Sequence, residues 1–138
     1  WEPAMTVHRA RYLTLAAACL LSACTTVVEA PVNDATLTLQ PQQTLALGKT
    51  ISLRYERADD SRCPSDARCV WAGIIVYHFT LVGKTASEPF KLDIDQPTFQ
   101  SKILKGVRIV LATTEPPPVR LSSQPPPPHP VTVSVTNI

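Results

Sequence analysis

Apolar residues recur at every second position over most of this chain, the period of a strand with one face buried and the other in water. Leu37 and Leu39 alternate with Thr36 and Thr38. Beyond Gly48, Ile51, Leu53 and Tyr55 oppose Ser52, Arg54 and Glu56, which predicts a strand whose apolar side faces a core. Ile74 to Val82 is apolar almost throughout, with Ile75, Tyr77, Phe79 and Leu81 on one face and Ile74, Val76, His78, Thr80 and Val82 on the other. That pattern predicts a mid-sheet strand partly covered on both sides. Gly83-Lys84 leads to a turn, after which Phe90, Leu92 and Ile94 alternate with Lys91, Asp93 and Asp95. Val107, Ile109 and Leu111 mark another strand, and Val131, Val133 and Val135, set against Thr132, Ser134 and Thr136, mark the last.

Outside the N-terminal region no window carries a helical apolar stripe. Six or seven short strands separated by turn residues predict an all-β fold, a single antiparallel β-sandwich, immunoglobulin-like in architecture, in preference to a closed barrel. Between Leu111 and Val131 the chain holds Pro116, Pro117, Pro118, Pro125, Pro126, Pro127, Pro128 and Pro130. Proline has no amide donor and favours polyproline II geometry, so this stretch is no central strand. It reads as an extended connection along a sheet edge, with a ligand for another protein's aromatic groove as the alternative.

The N-terminal apolar run, Tyr12 to Leu21, is about ten residues long, the length of a signal-peptide core rather than of a bilayer span. It follows Met5, His8, Arg9 and Arg11 and ends in Leu21-Ser22-Ala23-Cys24. This stretch resembles the processing box of bacterial lipoproteins. The resemblance implies cleavage before Cys24 and acylation there by several chains such as palmitate, enough for stable anchoring to a lipid bilayer. Thr25 in place of an aspartate implies, by the same resemblance, the periplasmic face of the outer membrane. Three parts follow: residues 1–23, a signal peptide with the residues upstream of Met5; residues 24–34, a tether containing Pro31; and residues 35–138, the sandwich. Loss of residues 1–23 leaves roughly 115, enough for one core and too few for two.

Arg9 and Arg11 leave with the signal, so the remainder is close to charge balance and has no basic run to follow a phosphate backbone. Nucleic acid is excluded as a partner class. Cys19 lies in the signal core and Cys24 is the acylation site, which leaves Cys63 and Cys69. In an oxidising envelope they predict one disulfide, worth on the order of 2 kcal/mol for so short a loop, because C-x5-C without a second Cys/His pair lacks zinc spacing.

The sequence Asp60-Ser61-Arg62-Cys63-Pro64, four residues, then Cys69-Val70-Trp71-Ala72-Gly73 resembles the D-S-R-C-P-x4-C-x-W-A-G signature of a small, uncharacterised bacterial lipoprotein family. The resemblance extends to a strand from Leu45 to Glu56 before the motif, a long apolar strand after it and a proline-containing stretch before a final strand. It implies a fold but carries no activity. The residues themselves read as a rigid corner: Pro64 fixes φ, the disulfide fixes the loop ends, Trp71 lays its ring over the bridge in a mostly buried site, and Gly73 permits close approach. Asp60 and Ser61 are turn formers, and Arg62 is a partner for a carboxylate or carbonyl.

Other chemistry is weakly signalled. Asp59, Asp60 and Asp66 are candidate calcium ligands but lack an EF-hand pattern. Asp93 and Asp95 face the same way on a strand, as paired carboxylates or as an exposed charged face. Ser61, Ser65 and Ser87 lack a nucleophile elbow, and His78, with His129 the other histidine outside the signal, reads as a partly buried, hydrogen-bonded residue. No catalytic set, metal site or cofactor is predicted. The expected function is that of a membrane-anchored, non-enzymatic binding or structural domain with an envelope protein as partner; the alternative is a small envelope enzyme or a protease-inhibitor-like domain.

Overall fold

A computed structural model describes residues 32–113 and 115–137. Cys24 and residues 1–23, read above as a signal peptide, lie outside them. Eight strands, β1 (Ala35–Leu39), β2 (Thr44–Ala46), β3 (Ser52–Asp60), β4 (Ile75–Val82), β5 (Ser87–Leu92), β6 (Thr98–Gln100), β7 (Val107–Leu111) and β8 (Val131–Asn137), form two four-stranded sheets. One has the order β1-β8-β7-β6 and the other β2-β3-β4-β5, and every pairing is antiparallel. The chain thus opens in the first sheet, runs a meander through the second and returns. The result is an all-β sandwich of two antiparallel sheets.

The alternation read from the sequence sets the core. Leu39, Leu53, Tyr55, Tyr77, Phe79, Leu81, Leu92, Ile109, Val131, Val133 and Val135 are buried between the sheets. Tyr55 lies 5.2 Å from Phe79, Phe79 stacks on Phe90 at 5.2 Å, and Phe90 stacks on Phe99 of β6 at 3.9 Å, which carries the packing from one sheet to the other. β4 is an inner strand, alternately buried and half-buried along its length.

Four details differ from the sequence reading. β2 and β6 are three-residue strands, too short to show a period; β2 follows a turn in which Gln42 adopts φ 69°. β5 stops at Leu92, because Asp93 Oδ1 accepts the amides of Asp95 (2.8 Å) and Gln96 (2.7 Å) and so turns the chain. Asp93 and Asp95 are therefore turn residues rather than a paired strand face, and Ile94 is 78 % exposed. Val32 is buried, Asn33 donates to the Leu47 carbonyl (2.9 Å), and Asp34 accepts from the Asn137 amide (2.9 Å), so the fold begins before residue 35.

The fourth difference concerns the prolines. β7 and β8 are neighbours, and the segment joining them leaves and re-enters at one end of the sandwich, near Leu111 and Val131. There it meets the loop after β3: Arg62 donates to the Pro117 carbonyl (2.9 Å), Ser65 to the Arg120 carbonyl (3.1 Å), and Ser122 to Asp66 from both its amide (2.8 Å) and its hydroxyl (2.7 Å). The segment is thus bonded to the loop after β3 at one end of the sandwich, more than the plain extended connection that the sequence predicts.

Candidate functional site

A break in the β3 register places the polar cluster at that end. Ser52 to Tyr55 pair with Val82 to Phe79 in step, but a bulge between Tyr55 and Arg57 inserts Glu56 as an extra residue. Because side chains alternate, one extra residue exchanges the faces for everything beyond it. Arg57 and Asp59 consequently face solvent, opposite His78 and Val76, while Ala58 and Asp60 point inward, opposite Tyr77 and Ile75.

Inward, Asp60 becomes a hub. Its carboxylate receives Arg62 Nε (2.9 Å), Arg62 Nη2 (2.7 Å) and the Arg62 amide (3.1 Å), and lies 3.0 Å from His129 Nε2. The Arg62 guanidinium, outweighing a smaller opposing effect of burial and helped by His129, holds the Asp60 carboxyl well below the usual carboxylate range. His129 is only 4 % exposed; its Nδ1 faces the Pro127 carbonyl at 2.7 Å, and the Tyr55 hydroxyl donates to the His129 carbonyl at 2.6 Å. Burial pushes the Tyr55 phenol up, so it stays a donor. Both His129 ring nitrogens are engaged, Nδ1 by the Pro127 carbonyl and Nε2 by Asp60. Neither nitrogen is left to take a proton from a nucleophile.

On the outer face, Asp59 lies 2.7 Å from His78 Nε2 and accepts Arg57 Nε at 3.2 Å. Burial alone would raise its carboxyl, but the bonds from Arg57 and His78 bring it below its ordinary value. The three aspartates considered for calcium are thus not brought together: Asp59 pairs outward, Asp60 inward, and Asp66 holds Ser122. Among the described residues no group of three or more His, Cys, Asp and Glu side chains is gathered as a metal would require.

The motif residues form a tight loop end. Cys63 and Cys69 are disulfide-bonded, with Cα atoms 5.8 Å apart, and the Ala67 amide donates to the Pro64 carbonyl (3.1 Å) within the closed loop. Ser61 prolongs the pairing of β3 with the chain before β4, its amide (3.0 Å) and hydroxyl (3.0 Å) both donating to the Ile74 carbonyl. Gly73 has φ +67°, and a Cβ there would stand 2.1 Å from the Ser61 carbonyl oxygen, so the loop closes only on glycine. Ser65 anchors the proline segment through its amide and Ser87 begins β5.

Trp71 departs from the corner picture. It is 60 % exposed, its Nε1 donating to the Ser61 carbonyl at 3.2 Å while much of the ring faces solvent; Val70 beside it is 98 % exposed. At this end of the sandwich the buried position is held by His129, between Pro128 and Pro130, and not by Trp71. Sequence reasoning missed His129 as a cluster member, since 69 residues separate it from Asp60 and only the fold joins them.

No protein-family model, curated protein or solved structure matches the chain.

Proposed function

We propose that this protein is a lipid-anchored, non-enzymatic domain of the bacterial cell envelope that docks onto another envelope protein through the loop carrying Val70 and Trp71. The observation that carries the reading is the exposure of these two apolar side chains directly after a disulfide-closed loop. A bridge, the Ser61 ladder and Gly73 hold the loop in shape, so its apolar surface meets a partner without a large ordering cost. Tryptophan is a frequent anchor at such contacts.

The position of the loop agrees with an anchor at Cys24. Val32 and β1 begin beside Leu47 and Asn137, at the end of the sandwich where β3 starts, whereas the loop follows the last residue of β3 at the other end. A tether attached at Val32 would hold the domain to the membrane by one end and present Val70 and Trp71 from the far one. The test is a pull-down from solubilised envelope with the acylated protein and its Val70→Ser/Trp71→Ser variant. A specific partner recovered by the wild type and lost with the variant is the expected result, and recovery of no partner above background by the wild type overturns the reading.

The same loop favours one second reading, a protease-inhibitor-like domain that presents a stapled apolar segment to a protease cleft. Inhibition of envelope proteases by the wild type, relieved in the Val70→Ser variant, would favour it. Enzyme chemistry has less support: His129 is spent on a carbonyl and on the Asp60 carboxylate, which is already bound to Arg62.

A further inference from the structure

Beside the polar cluster, at the same end of the sandwich, lies a cavity of about 250 Å³ walled by Ile75 and Tyr77 of β4, Leu111 of β7, and Ile74, Ile94 and Arg62 from the adjoining loops. Its wall is largely aliphatic. Tyr77 lines the cavity and is only 3 % exposed, and its hydroxyl has no hydrogen-bonding partner among the described residues. A phenol in an apolar recess with no protein partner is free to bond a molecule lodged there. The other polar side chains in the wall are already engaged, Arg62 by Asp60 and the Pro117 carbonyl and Thr113 by the Thr132 amide.

We propose that this cavity is a binding site for a small neutral ring molecule bearing one acceptor oxygen, which the Tyr77 hydroxyl recognises. Three considerations define the class. A dry cavity of roughly 150 Å³ takes a benzene-sized ring, so this volume admits a ring with a short substituent. Burial raises the Tyr77 phenol above its ordinary value, so it keeps its proton and can donate to an acceptor oxygen. The charge of Arg62 is matched by Asp60, so no unpaired charge awaits an ion, and an ionised ligand would lose its hydration for nothing. The bonds of Arg62 to Asp60 and the Pro117 carbonyl fix that wall in place before any ligand arrives. This site is separate from the protein-docking role of Val70 and Trp71 and stands or falls independently of it.

Titration of the full chain carrying Cys24→Ser with acetophenone, ethylbenzene and benzoate, followed by amide resonances of Gly73, Ile75, Tyr77 and Leu111, tests the assignment. Acetophenone, a neutral ring with a carbonyl, should shift these resonances saturably in the millimolar range expected of so small a ligand. Ethylbenzene, without the oxygen, should bind roughly fivefold more weakly, and benzoate no better than ethylbenzene. Tyr77→Phe should abolish the difference between acetophenone and ethylbenzene while leaving both able to bind, and Leu111→Trp should fill the cavity and remove binding of either. Unsaturable or scattered shifts, equal binding of acetophenone and ethylbenzene by the wild type, or tightest binding by benzoate would each overturn the proposal.

Discussion

Asp60 concentrates the electrostatics of the fold in one side chain. Arg62, above all, depresses its carboxyl, with His129 adding to the effect against burial. A carboxylate whose folded-state value lies below the unfolded one contributes stability that is complete above the unfolded value, near 3.8, and is lost as the pH falls through the folded one. Asp60→Asn should therefore lower stability by on the order of 2 kcal/mol at neutral pH, and the gap from wild type should narrow only below about pH 4. Urea melts of both proteins between neutral and strongly acid pH measure this; parallel curves down to the lowest pH would deny Asp60 the role. Gly73 offers a steric counterpart. Gly73→Ala drives a methyl into the Ser61 carbonyl and should cost at least about 2 kcal/mol, whereas Trp71→Ala, removing a largely exposed ring, should cost under about 1 kcal/mol. Thermal melts of the two variants decide, and the reverse order would restore a buried tryptophan. The turn-forming Asp60, the need of Arg62 for a carboxylate or carbonyl and the need for glycine at position 73 were legible because all are local; that Asp60 is the carboxylate was not singled out. The exposure of Trp71 was not, since burial depends on what else reaches that end of the sandwich.

Strands were readable to the extent that they alternate. β3, β4, β7 and β8 show the period and fall where it predicts, while β2 and β6 are held by turns and by pairing with longer neighbours. The bulge in β3 has only a faint trace in sequence, the two successive charged residues Glu56 and Arg57 where alternation demands one. That irregularity decides which of Asp59 and Asp60 faces the core. The connection from β7 to β8 is likewise more than a spacer, because it delivers His129 to Asp60 and Tyr55. Deleting Pro126 should draw His129 away from these partners and lower the urea midpoint about as far as His129→Ala does. A deletion with the wild-type midpoint would reduce the prolines to a bridge across distance. Truncation after Pro130 should be far worse: β8 lies between β1 and β7, and its loss leaves β1 unpaired and exposes the core that Val131, Val133 and Val135 cover. A truncated chain that retained a cooperative transition at the wild-type midpoint would contradict the two-sheet core.

At the scale of the whole molecule, the sandwich has two unlike ends. One gathers the first described residues, the Leu47 turn and the last residues of β8; the other gathers the disulfide loop, the proline segment, the Asp60 cluster and the Tyr77 cavity. The nine residues of β3 run from the first end to the second, a separation of roughly 30 Å at the rise of an extended strand. If Cys24 is the acylated first residue, the eight positions from it to Val32 reach at most about 28 Å, so the near end stays within a short distance of the bilayer surface. Processing before Cys24 would also remove Trp1 and leave Trp71 as the sole tryptophan, a native reporter at the far end. In vesicles containing the acylated protein and brominated lipid, Trp71 emission should escape quenching by bromine while remaining open to an aqueous quencher such as acrylamide. Strong quenching by bromolipid would mean that the exposed Val70–Trp71 surface enters the membrane, and the protein partner assigned to it would have to give way to the bilayer itself.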